Sequence, residues 1–162
     1  MAQVDYFLKL DGIDGEATDS KHGKEIHLES WSWGETNSGS HASGGGGGAG
    51  KVSMQDFHFV QKIQKSSPKL FLFCANGQHV KKAVLTCRKA GKDQQEFFKV
   101  TMEDLLVSSY QTGGSGHSDV VPTDQISLNF SRIKFEYAPQ KADGTLEAYI
   151  PAGWDQKLNK AI

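Results

Sequence analysis

Residues 126–137 read ISLNFSRIKFEY, and their alternation decides the class of fold. Ile126, Leu128 and Phe130 fall on one face of an extended chain. Ile133, Phe135 and Tyr137 alternate again, but in the opposite phase. A period of two sustained this long describes one strand, and the slip at Ser131-Arg132 predicts a bulge that lets it bend around a barrel corner. The expected class is mainly β: a compact β-barrel of two antiparallel sheets with one short α-helix and a long extended loop.

Working outward, Val80 to Arg88 and Gln95 to Val107 flank KAGKDQ, a glycine-containing hairpin connection. Ala83, Leu85 and Cys87 should face inward with Phe98, Val100 and Met102. Val4 to Leu10 alternates as a strand, followed by turn chemistry at Asp11-Gly12 and Asp14-Gly15. Lys24 to Trp33 reads as a second strand in which both faces meet protein, since Trp31 and Trp33 are costly to leave in water. In VSMQDFHFV (52–60) the apolar phase slips near Gln55-Asp56, which predicts a bulge or a break. In SSPKLFLFCANG (66–77) Ser67 suits a cap and Pro68 the first turn. Leu70, Phe71, Phe73 and Cys74 form the stripe of a helix that ends at Asn76-Gly77. A turn at Ala142-Asp143-Gly144 precedes an extended piece, Glu147 to Trp154.

With 162 residues, one domain spanning 1–162 is expected. The 18 basic residues against 19 acidic ones leave a net charge of -1, so no sequence-wide positive field exists to hold nucleic acid or an anionic membrane. MAQVDYFLKLDG lacks the basic start and apolar run of a secretory signal, and nowhere do 18 apolar residues run together. The chain is therefore expected to be made and folded in the cytoplasm, to insert into no membrane, and to need dedicated machinery if it leaves the cell.

GGGGGAGKV (44–52) has the G-x-x-x-x-G-K spacing of a phosphate cradle in Gly45, Gly50 and Lys51. Such a cradle needs a strand before it, a helix after it, and a hydroxyl residue behind the lysine. Here Ser40-His41-Ala42-Ser43 precede it, a strand-like alternation follows, and Val52 replaces the hydroxyl. A long loop from Glu35 to Lys51 remains, of a length that usually carries function. His22, His27, His41, His58, His79 and His117 form no H-x-H or H-x-x-x-H pair, so no metal site is expected. Cys74 and Cys87 lack a C-x-x-C spacing and read as buried free thiols. Asp11 and Asp14 lack calcium-loop spacing. No catalytic or cofactor-binding residue is predicted.

Eight pieces in order, YFLKLDGIDGE, SWSWG, GGGGGAGKV, DFHF, RKAG, LVSSYQTGGSG, ISLNF and PQKADG, resemble the Hcp (haemolysin-coregulated) family of type VI secretion tube proteins over nearly the whole chain. The resemblance implies six copies in a ring, rings stacked into a tube like that of a phage tail, a contractile sheath around it, and a VgrG spike at its tip. It also implies effector proteins carried in the lumen and release from the cell without a signal peptide. By resemblance the Glu35–Lys51 loop reaches the adjacent ring through Asn37, Ser38, Ser40, His41 and Lys51, around Gly44, Gly46, Gly48 and Gly50, which permit close approach. Thr112, Gly113, Gly114 and Ser115 then lie on the lumen wall, with an ordinary glycine turn after Tyr110 as the alternative.

Two other classes stand beside this one. An effector enzyme attached to such a domain would need an extension that the eight residues after Trp154 do not supply. A sugar- or peptide-binding barrel would use Trp31, Trp33 and Trp154 as an aromatic platform.

Overall fold

The computed structural model describes residues 3–39, 49–91, 93–117 and 119–162. The elements run β1 (Val4–Leu10), β2 (Ile26–His27), β3 (Ser30–Ser32), β4 (Glu35–Gly39), β5 (Ala49–Met54), β6 (Phe57–Lys62), α1 (Ser67–Asn76), β7 (His79–Lys89), β8 (Glu96–Gly113), β9 (Thr123–Tyr137), β10 (Ile150–Asp155) and β11 (Lys160–Ala161). The class is mainly β with one short helix, as the alternating patterns require. Nine strands form one antiparallel sheet ordered β11-β10-β9-β8-β7-β1-β2, with β6 and β3 branching from β9, while β4 and β5 form a separate two-stranded sheet. Two sheets were expected, and two are found among the described residues, of very unequal size.

The long strand β9 serves two neighbours. Its first half, Thr123 to Leu128, pairs with β6, and its second half, Arg132 to Tyr137, pairs with β10. The expected strand at 24–33 is divided at Leu28-Glu29, because the chain changes partner there. The Leu28 N–H donates to the Tyr6 carbonyl on β1 at 2.9 Å, and the Glu29 N–H to the Val60 carbonyl on β6 at 2.8 Å. The sheet thus curls back toward itself through one segment, yet the ladder path stays open, since β2 and β3 do not pair with each other. The break near Gln55-Asp56 separates β5 from β6 as the phase slip predicts.

The phase change that marked 126–137 is real, but its cause differs from the expected bulge in β9. Buried positions run Ile126, Leu128, Phe130 and then Ile133 on β9, and Val100, Met102 and then Leu105, Val107 on β8. Register is unchanged from Glu103↔Arg132 to Leu105↔Phe130, and the bulge in this pair lies at Val107/Ser109. Both strands turn over together at Asp104, whose φ of 51° is left-handed for a residue with a side chain. The Asp104 carboxylate is held by the Ser131 hydroxyl at 2.9 Å, Lys157 Nζ at 2.6 Å and His79 Nδ1 at 3.1 Å. Those bonds place its carboxyl well below the usual range, with Lys157 the first cause.

The core collects Leu8, Ile26, Phe57, Phe59, Leu85, Met102, Leu105, Ile126 and Leu128, each under 2 % exposed. At roughly 1.5–3 kcal/mol per large apolar side chain, this set dominates the favourable side of folding. Helix α1 adds Leu70 and Phe73 to it, whereas Phe71 is turned out at 59 % exposure and packs edge-on against Tyr110. The stripe is therefore narrower than expected. Ser66, not Ser67, occupies the N-cap, without a side-chain cap bond. Ser67 is committed elsewhere, to the buried carboxylate of Asp124. Gly77 ends the helix with φ 69° and its N–H on the Phe73 carbonyl at 3.0 Å. Cys87 is buried and Cys74 half-buried, both as free thiols.

Candidate assembly and cargo surfaces

The segment read as a long loop is, over its described part, a hairpin. Glu35, Thr36 and Asn37 pair with Met54, Ser53 and Val52, and after a register shift Gly39 pairs with Ala49. Polar, glycine-rich sequence hid this, because nothing in β4 alternates: all five of its residues are exposed. Asn37 and Ser38 lie on β4, and Gly50 and Lys51 on β5. Ser40, His41, Gly44, Gly46 and Gly48 lie outside the described residues. The strand that carries Gly50 and Lys51 stands where a phosphate cradle needs a helix, which removes that reading.

Under the hairpin is a cavity of about 480 Å³ lined by Trp33, Val52, Met54, Ile133, Phe135 and Trp154, among others. Trp33 donates its indole N–H to the Gln55 carbonyl at 2.8 Å, while the buried Trp154 Nε1 has no partner among the described residues. Trp31 instead stacks on Phe57 at 5.9 Å and meets Tyr6 edge-on at 6.2 Å. Two of the three indoles share this cavity and the third belongs to the core margin, so they do not form the single platform that a sugar-binding barrel would use.

Thr112 and Gly113 end β8, opposite Asp124 and Thr123 on β9. Gly114 follows against Pro122, close enough that a Cβ would meet the proline ring at 2.9 Å. Ser115 is exposed beyond it. Behind this end of the sheet the Asp124 carboxylate, fully buried, accepts from Ser67 Oγ at 2.5 Å, Gln61 Nε2 at 2.9 Å and the Tyr110 hydroxyl at 3.0 Å. Ser66 Oγ donates to Gln61 Oε1 at 2.9 Å, which extends the network beneath α1. Burial alone would raise the Asp124 carboxyl, but hydrogen bonds from Ser67, Gln61, Thr112 and Tyr110 outweigh it and leave the group below its ordinary value. Tyr110 is pushed up, by burial first and Asp124 second. The tip of β8 is thereby tied to α1 and β6 by a charge that has no contact with water.

A third surface was not picked out from the sequence. On the face of β3, β6, β9 and β8 that points away from the core, two rows cross all four strands: Ser30, Val60, Gln125, Gln111, and Ser32, His58, Ser127, Ser109. His58 Nδ1 and Ser127 Oγ are 2.6 Å apart. Two shallow hollows, of about 430 and 380 Å³, share Gln111 and Gln125 and join this face to Thr112 and Gly113. The available signal was Ser or Gln at every second position of three separate strands. Both margins of this face are unpaired. Among the described residues β3 pairs only with β6, and β7 leaves β8 at Leu106, so that Val107 to Gly113 pair only with β9.

Burial pushes the Cys87 thiol up to about 12, which removes it as a nucleophile near neutral pH. Among the described residues no three His, Cys, Asp or Glu side chains gather as a metal site would require. No described helix is long and apolar enough to cross a membrane.

Similarity searches agree on one family. The family profile described as "Type VI secretion system effector, Hcp" matches residues 7–137. Protein hcp1 of Pseudomonas aeruginosa is 45% identical over 158 residues, covering 96% of this chain and 97% of that protein. Among solved structures, Hcp1 from Salmonella typhimurium is 38% identical with a TM-score of 0.79 over the full length of both chains. A structure described as a type six secretion system protein is 30% identical with a TM-score of 0.94, covering 99% of this chain and 100% of that one. On sequence and fold alike, the chain belongs to the Hcp family of type VI secretion proteins.

Proposed function

We propose that this chain is a non-enzymatic tube subunit of a type VI secretion machine. Six copies close into a ring, rings stack, and a contractile sheath drives the tube outward behind a VgrG spike with effector proteins in its bore. The observation that carries this reading is the pair of unpaired margins, β3 on one side and Val107 to Gly113 of β8 on the other, at opposite ends of one four-strand face. Unpaired strand edges are a template for further pairing, and two different edges on one molecule suit the heterologous contact by which a ring closes. Edge-to-edge addition would carry the Ser- and Gln-rich face around the axis as an inner wall. Ser115, with Thr112, Gly113 and Gly114, then stands at the end of that wall, where small side chains leave the bore open.

The hairpin is assigned to stacking. Asn37, Ser38, Ser40, His41 and Lys51, with Gly44, Gly46, Gly48 and Gly50, are proposed to meet the neighbouring ring, because among the described residues β4–β5 belongs to no other ladder and presents an exposed strand. Light scattering coupled to size exclusion, with electron microscopy of the same fractions, tests the ring. A mass of about six chains and rings with an open centre are expected, whereas single chains alone at micromolar concentration would refute the reading.

A further inference from the structure

The two halves of β8 and β9 present unlike outer faces. In the half shared with β7 and β10, the outward rows are Lys82-Glu103-Arg132-Asp155, Val84-Thr101-Lys134-Gly153 and Thr86-Lys99-Glu136-Pro151. Seven of these twelve positions are Lys, Arg, Asp or Glu. In the half shared with β6 and β3, the two full rows hold Ser30, Val60, Gln125, Gln111, Ser32, His58, Ser127 and Ser109, and none is Lys, Arg, Asp or Glu. Charge returns only at the borders. Asp56 is occupied by the Ser108 hydroxyl at 2.6 Å and the Asn129 amide at 2.8 Å, and Lys62 lies 3.8 Å from Glu29.

We propose that this face, which holds no Lys, Arg, Asp or Glu, is a contact wall for passenger polypeptide that reads hydrogen-bonding capacity and ignores net charge; the proposal rests on the conduit reading above. Hydroxyl and amide groups both donate and accept, so the wall can satisfy Ser, Thr, Asn, Gln or backbone groups of either polarity. A wall of fixed charge would instead hold passengers of opposite sign strongly and turn away those of the same sign. Against a neutral wall neither happens, and each contact is weak. Retention comes from repetition around the ring, and passage is not arrested by a deep electrostatic well. The occupant is thus the uncharged polar surface of a passenger chain. Its binding is insensitive to salt, because no ion pair exists to be screened.

The probes are three labelled synthetic peptides on one Ser/Gln/Asn frame, one uncharged, one with added lysines and one with added glutamates. Binding to the assembled protein is followed by fluorescence anisotropy at low and high NaCl. For the parent, affinities of the three are expected to agree within about threefold and to change by less than about twofold with salt. In the Gln125→Glu variant, the lysine peptide should tighten by about tenfold at low salt and lose that gain at high salt, while the glutamate peptide weakens. Gln125 is exposed and lies on β9 between β6 and β8, away from both margins, so fold and ring should survive, which circular dichroism and an unchanged sedimentation profile would establish. A parent that prefers one charged peptide in a salt-dependent way, a Gln125→Glu variant that leaves all three affinities unchanged, or no binding by any peptide would each overturn the wall. A parent that forms no ring would instead count against the conduit reading, and sedimentation reports it separately.

Discussion

Replacing Asp124 with Asn tests whether a buried charge fixes the end of the sheet that carries Thr112 to Ser115. In the parent, side-chain donors converge on this carboxylate, among them Ser67 Oγ, Gln61 Nε2 and the Tyr110 hydroxyl. The asparagine retains one acceptor oxygen and turns an N–H₂ toward at least one of these donors. Hydrogen bonds to a charged group contribute about 1.5–3 kcal/mol each, and a donor left facing a donor costs about 1–3 kcal/mol more. A loss of about 3 kcal/mol is a conservative sum. For a chain of this size it lowers the melting midpoint by about 6–12 °C, read by circular dichroism at fixed concentration so that assembly does not contribute. The pH dependence is the sharper readout. The folded-state carboxyl lies below its ordinary value, so its contribution is present above the unfolded value of about 3.9 and is lost as pH falls through the lower folded value. The gap between parent and variant should therefore be full at neutral pH and narrow in acid below about pH 4. A gap below about 1 kcal/mol, or one of equal size at pH 7 and in acid, would show that no ionised, hydrogen-bonded Asp124 holds this end.

Other expectations follow from separate features. Gly15→Ala should lower the melting midpoint markedly, since a Cβ there would sit 2.5 Å from the Glu25 carbonyl oxygen and backbone must move; an unchanged midpoint would contradict the packing of the 11–25 loop. Arg88 is buried and forked onto Asp19 at 2.8 and 2.9 Å, which holds the Asp19 carboxyl well below the usual range. Asp19→Asn should destabilise the protein at neutral pH, with the difference from the parent shrinking as pH falls through the acidic range. A thiol reagent at neutral pH should leave Cys87 unmodified until denaturant is added, and mass spectrometry of the native reaction would identify the site. Ser115→Gln should leave ring mass unchanged and reduce passenger retention and export, and parental export would remove Ser115 from the inner wall.

What could be read from the sequence depended on which faces are apolar. β1, β7, β9 and α1 were legible because each buries a regular stripe, and the turn-over at Asp104/Ser131 left its trace as a phase slip even though the responsible residue was on the partner strand. The β4 half of the β4–β5 hairpin left none, since its five residues are all exposed and pair through the backbone, and only Val52 and Met54 on β5 kept a period of two. The Ser- and Gln-rich face was hidden for a related reason. Its outward Ser and Gln positions are ordinary surface residues when each strand is considered alone, and their meaning arises only when registers from β3, β6, β9 and β8 are laid side by side. A strand buried on one face is specified by that face, and its outer face is left free for other demands. Here β8 and β9 meet two such demands along one length: charge where the outer face runs beside β7 and β10, none where it runs beside β6 and β3. The change of composition coincides with the point at which both strands turn over, so one local device, the left-handed Asp104 tied to Ser131, His79 and Lys157, separates the two surfaces.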